Sequence, residues 1–155
     1  MFQPSQLTNS LLFLGFSILL IAIFVTTFLW AMRKTVNNIQ KLPEFTNLDV
    51  ATVRRQMMAL LVGMPFVVLF LALARLVWDQ PAPSTVFIDL IMGFTPLAYI
   101  AVSSIRNRVS IIRGREPLPV KGAKAVWSGV LNLVFIILMF TGFAIYFALY
   151  FDSLK

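Results

Sequence analysis

Four windows of about twenty residues pass with almost no charge, and that pattern restricts this chain more than any other feature. A helix rising 1.5 Å per residue needs about twenty apolar residues to cross a hydrocarbon core about 30 Å thick. Candidate spans run over residues 11–32, 57–78, 86–105 and 126–151. The first two are uncharged apart from Arg75, the third carries Asp89, Pro96 and two serines, and the fourth is long enough to tilt. A central Asp costs about 2.5–3.5 kcal/mol, whereas each central Leu, Ile, Phe or Val favours insertion by about 0.3–0.6 kcal/mol. The third span is therefore the one that most needs a neighbouring helix.

Composition agrees with a lipid environment. Hydrophobic side chains make up 59% of the 155 residues and charged ones 12%, against about 45–50% and 25% in soluble domains. There is no Cys and no His. That excludes disulfides, thiolate and imidazole metal ligands, His-held haem, Ser-His-Asp triads and Cys nucleophiles. The fifteen Phe and seven Met are ordinary material for lipid-facing and interhelical surfaces, so no cofactor is expected from them. Residues 1–10 hold no Lys or Arg, and the apolar run that follows is longer than the roughly 7–15 residues of a signal-peptide core. The first span is read as retained.

The cations set the direction of insertion. Arg33, Lys34, Lys41, Arg54 and Arg55 fall in residues 33–56, and Arg106, Arg108, Arg113, Arg115, Lys121 and Lys124 fall in residues 106–125. The opposite connection, DQPAPS, has one acid and no base. By the positive-inside rule both termini face out and both basic connections face the cytoplasm. The net charge of +7 is thus a topology signal, and no nucleic-acid partner is expected. Trp30 and Trp127 at the inner ends of spans, with Trp78 and Tyr150 at the outer ends, fit the depth that amphipathic rings prefer.

Two connections differ in character. In the first, Pro43 breaks the chain and Thr46-Asn47-Leu48-Asp49 offers acceptors to cap a helix leading into Arg54, Arg55 and the second span. The second contains Gly114, Pro117, Pro119 and Gly122 and reads as turn-rich, with an Ile111-Ile112 pair apolar enough to dip into the interface. Arg54, Arg55, Arg106, Arg108, Arg113, Arg115, Lys121 and Lys124 are the expected contacts for anionic headgroups or an acidic partner.

Inside the spans, few side chains carry chemistry. Arg75 and Asp89 flank the short outer connection and are expected to pair across the hairpin, since an isolated charge at that depth is costly. Asn132, one turn from Ser128, is expected to hydrogen-bond to another helix. Small residues four apart, Ala59/Gly63, Ala125/Gly129 and Ala144/Ala148, are candidate packing faces. Pro65 and Pro96 should kink their spans. Spans two and four align at Gly63 and Gly129, matching Ala59 with Ala125, while spans one and three show no such correspondence.

The resulting expectation is an all-α integral membrane protein, one domain over residues 1–155 with four transmembrane helices, in a bacterial plasma (inner) membrane. Its expected role is a non-catalytic accessory, structural or assembly subunit of a larger complex, partnered by other integral membrane subunits and by anionic lipids at the cytoplasmic face. The alternative is a small proton- or ion-coupled transporter or channel, homo-oligomeric, acting through Asp89 and Arg75. A lipid-modifying enzyme ranks last, because no general base is at hand among His, Cys or paired carboxylates.

Overall fold

The computed structural model describes residues 4–77, 83–111 and 119–152. Four helices follow in order: α1 (Pro4–Gln40), α2 (Asn47–Val77), α3 (Pro83–Asn107) and α4 (Ala123–Asp152). Two-residue strands β1 (Val109–Ser110) and β2 (Val120–Lys121) lie between α3 and α4, antiparallel, with Val109 opposite Lys121 and Ser110 opposite Val120. Apart from this small ladder and the short links between elements, the described chain is helical. Among the described residues, three helices are long and apolar enough to cross a membrane: Leu11–Gln40 in α1, Asn47–Leu73 in α2 and Ala123–Tyr146 in α4.

Helix α1 runs on past its apolar window. Its 37 residues span about 55 Å at 1.5 Å per residue, so Arg33 and Lys34 stand on a helix that continues from the span. The first basic connection, expected over residues 33–56, is irregular only between Gln40 and Asn47. There Leu42 N–H donates back to the Ile39 carbonyl at 3.1 Å, Pro43 follows, and Thr46 starts the next helix. Asp49 N–H donates to Thr46 Oγ1 at 3.3 Å and Thr46 N–H donates to Asp49 Oδ2 at 2.8 Å. This reciprocal capping box is why α2 begins at Asn47, a full ten residues before Met57.

Packing is sequential. α1 lies on α2, α2 on α3 and α3 on α4, while among the described residues α1 meets neither α3 nor α4. The helices form an open row, not a closed bundle, and α1 and α4 are its two edges. Two glycines set how closely the row packs. A Cβ on Gly63 would stand 2.6 Å from Cγ of Pro96, and one on Gly129 would stand 2.7 Å from the Ala101 carbonyl oxygen; each helix backbone rests directly on its neighbour. The buried cluster joins Met32, Ile39, Val50, Val53, Met57 and Val109, with Phe28, Val36, Phe45 and Ile111 against it. It sits at the basic end. Ile111, expected at the interface, packs instead on this core, because β1 folds its residues under α2 and α3; Ile112 lies outside the described residues.

Over the whole row many large apolar side chains are exposed and several polar ones are buried. Leu12, Leu131 and Leu138 are 63–67% exposed, while Gln56, Ser104 and Ser110 are fully buried. In water so continuous an apolar exterior would be a strong aggregation hazard; in lipid it costs nothing, and the polar side chains are the ones that must find partners.

Candidate functional site

The polar groups converge where α2, α3 and β1 meet. Gln56 follows Arg54 and Arg55 on α2 but lies on the face of Val53 and Met57, so it is carried inward. Its Nε2 donates to the Val109 carbonyl at 2.9 Å and to Ser103 Oγ at 3.1 Å, with Ser104 Oγ at 3.5 Å. Its Oε1 accepts from Ile111 N–H at 3.0 Å. A carbonyl on one side and an N–H on the other allow only one orientation of the amide. Ser104 Oγ donates to the Ile100 carbonyl at 2.6 Å, and Asn107 Nδ2 donates to the Ser103 carbonyl at 3.0 Å. One side chain thereby fastens two helices and the segment leaving α3. Sequence reasoning passed over it; the available signal was a lone carboxamide in register with Val53 and Met57, opposite a serine pair.

A second clamp joins the two basic connections. Lys121 Nζ donates to Asp49 Oδ2 and to the Glu44 carbonyl, both at 2.6 Å, and lies 5.7 Å from the centre of the Phe45 ring. Asp49 stands in the first turn of α2, before the apolar stretch. Burial is the largest influence on its carboxyl and acts upward, but the hydrogen bonds from Lys121 and Thr46 together outweigh it and hold the pKa below the ordinary 3.8. Lys121, expected as a headgroup contact, is thus engaged within the protein. Behind it, Gly122 N–H donates to the Arg108 carbonyl at 2.8 Å, with both residues in the left-handed region at φ 71° and 54°.

The other cations whose side chains are described are exposed. Arg54 and Arg55 line a groove on α2 whose other walls are Met58, Ala59, Val62 and Tyr99 of α3. Arg33, Lys34 and Lys41 line a furrow with Trp30, Asn37 and Asn38 along the last turns of α1 and just beyond its end; Lys34 Nζ is 5.1 Å from the centre of the Trp30 ring. Arg106, Arg108 and Lys124 are exposed around the end of α3 and the start of α4. Arg113 and Arg115 lie outside the described residues.

Of the intramembrane candidates, Asn132 Nδ2 donates to the Leu97 carbonyl at 3.1 Å, linking α4 to α3. Ala125 is fully buried and Gly129 rests on α3. Ala59 is half-buried beside Gly63, whereas Ala144 and Ala148 are exposed on α4. Near them an apolar hollow is lined by Leu138, Met139, Gly142, Phe143 and Tyr146. Arg75 and Asp89 fall on α2 and α3, but their side chains, and so their expected pairing, lie outside those described. Among the described residues no three His, Cys, Asp or Glu side chains gather. The site as described offers cationic and apolar contact surfaces held on a stiff polar frame.

No known protein family matches the chain, and comparison with curated proteins and with solved structures finds no relative. The class that the fold defines is an all-helical protein in which, among the described residues, three helices are long and apolar enough to cross a membrane.

Proposed function

We propose that this protein is a non-catalytic accessory or assembly subunit of a larger membrane complex. In this reading α3 is a fourth span, both termini face outward, and the basic end faces the cytoplasm of a bacterial plasma membrane. The observation that carries it is the open row: α1 and α4 do not close on each other among the described residues, so each edge offers an apolar helix face to neighbouring integral membrane subunits. The described polar side chains support it further, since Gln56 and Asn132 join the protein's own helices. Anionic lipids complement the exposed cations at the cytoplasmic face.

Extraction in mild detergent followed by mass spectrometry tests this. Co-purification with other membrane polypeptides at fixed stoichiometry is expected; a homogeneous particle of this chain alone overturns it. Orientation is separable, because the native chain has no Cys. An impermeant maleimide on intact cells should label Gln80→Cys and spare Lys41→Cys, and the reverse pattern overturns the topology. Within the same reading Arg75 and Asp89 pair, so Arg75→Ala and Asp89→Ala singly should each destabilise more than the double change; additive losses overturn the pairing.

A further inference from the structure

The groove beneath Arg54 and Arg55 combines two features that no water-soluble ligand needs together. At its mouth stand two adjacent arginines, both exposed, and among the described residues neither makes an ion pair. The nearest acid on the same helix, Asp49, is already held by Lys121. The floor is apolar, made by Met58, Ala59 and Val62 of α2 with Tyr99 of α3 alongside.

Depth decides what can fill it. From Arg54 to Val62 the helix descends about 12 Å at 1.5 Å per residue, which carries the groove from the headgroup region into the hydrocarbon. Antiparallel packing sets the level of Tyr99. Gln56 meets Ser103 and Gly63 meets Pro96, so moving seven residues down α2 corresponds to moving seven residues back along α3. Tyr99 is therefore level with residue 60, about 7 Å deeper than Arg55. Tyr99 is 46% exposed, and its hydroxyl has no hydrogen-bond partner in the described structure. That is the zone where a glycerophospholipid carries its ester carbonyls, which accept hydrogen bonds.

The geometry points to a bound anionic glycerophospholipid in this groove: its phosphate on Arg54 and Arg55, an ester carbonyl near Tyr99, and one acyl chain along Ala59 and Val62. The guanidinium fork matches phosphate oxygens, and a site at the bilayer surface desolvates both partners in part. The groove is shallow and open, with a volume of ≈ 440 Å³, which suits a lipid lying along the helices rather than an enclosed ligand. An acidic peptide would satisfy the arginines but leave an apolar floor at hydrocarbon depth uncovered. The α1 furrow is different: Arg33, Lys34 and Lys41 share it with Asn37, Asn38 and Trp30, and its one apolar side chain already lies under Lys34, so it has no apolar strip running down the helix. From the reading above, this inference takes only that the basic end lies at the bilayer surface. It does not require complex membership.

Native mass spectrometry of the purified full chain tests it, with dioleoyl phosphatidylglycerol, dioleoyl phosphatidylcholine and free glycerol 3-phosphate as probes. Wild-type protein should retain one phosphatidylglycerol at least ten-fold more tightly than phosphatidylcholine, and should not retain glycerol 3-phosphate. The Arg54→Gln/Arg55→Gln variant should lose about ten-fold or more of that affinity. Arg33→Gln/Lys34→Gln, which removes the same charge from α1, should leave it within two-fold. Val62→Trp fills the floor, keeps both arginines and should also weaken retention. Circular dichroism checks that each variant keeps its helix content. Unchanged binding in Arg54→Gln/Arg55→Gln, equal loss in the α1 variant, or equal retention of glycerol 3-phosphate overturns the proposal. All readouts are made on the isolated chain, so they stand whether or not partner subunits are found.

Discussion

The side-chain amide of Gln56 donates to the main-chain carbonyl of Val109 across 2.9 Å, although the two residues are 53 positions apart. The bond turns the end of α3 back under α2 and makes the basic end of the row a fixed unit.

Replacing Gln56 with Leu should therefore be among the most damaging single changes at this end. It strands the Val109 carbonyl and the Ile111 N–H inside a buried site, and each orphaned group costs about 1–3 kcal/mol. A loss of about 2–4 kcal/mol is expected in reversible unfolding by SDS or urea in mixed micelles. Gln56→Glu keeps the acceptor for Ile111 but loses the donor. It should also destabilise, with the gap from wild type narrowing at low pH as the carboxyl takes up a proton.

Close backbone approach makes a second prediction graded by stiffness. Gly129→Ala drives a methyl to 2.7 Å from the Ala101 carbonyl oxygen, and Gly63→Ala drives one to 2.6 Å from the Pro96 ring. Neither neighbour is a flexible side chain, so the helices must separate, at about 1–3 kcal/mol each. Gly142→Ala meets nothing within 4 Å and should be neutral or slightly stabilising, because Ala favours helix. Thermal denaturation of the three variants in one detergent orders them.

The Lys121–Asp49 bridge gives stability a pH dependence of known sign. Its folded carboxyl titrates below the ordinary 3.8, so its contribution is complete above that value and is lost as pH falls through the depressed one. Lys121 is 39% exposed at its side chain, which limits the contribution to about 1 kcal/mol or less. Lys121→Met should flatten the difference in melting temperature between pH 6 and pH 3. An equally steep profile in the variant would assign the acid lability to other carboxyls.

At the turn into α4, Gly122 has φ 71°, a conformation that costs a residue with a Cβ about 1–2 kcal/mol. Gly122→Ala should destabilise by about 1 kcal/mol. Arg108 already bears such strain at φ 54°, and Arg108→Gly should offset the loss wholly or in part. Unfolding of the two single variants and the double variant measures both effects.

How much of this was legible in advance depends on the kind of information each residue carries. Thr46 and Asp49 could be placed from the sequence because a helix cap is settled within four residues. The interhelical role of Asn132 follows from the cost of an unpaired amide in lipid, although Leu97 as its acceptor does not. Gln56 escaped because it sits beside Arg54 and Arg55 and reads as part of a polar run; only its partners at Ser103 and Ile111, 47 and 55 residues away, distinguish it from a surface residue. The continuation of α1 to Gln40 has no local signal, because charged residues on a continuing helix look, by composition, the same as charged residues in a loop.

By itself, the sequence determines that the chain is helical, which stretches are apolar enough to enter lipid and which connections hold the cations. Partition into lipid depends on local composition, and a helix of twenty apolar residues needs no distant partner to satisfy its backbone. Only the tertiary structure decides that the helices stand in an open row, that Gly63 faces Pro96 and Gly129 faces Ala101, and that Gln56 turns inward. In a membrane, lipid-facing and helix-facing surfaces are both apolar, so hydrophobic periodicity does not say which face meets which. That choice falls to steric fit and to a few long-range hydrogen bonds.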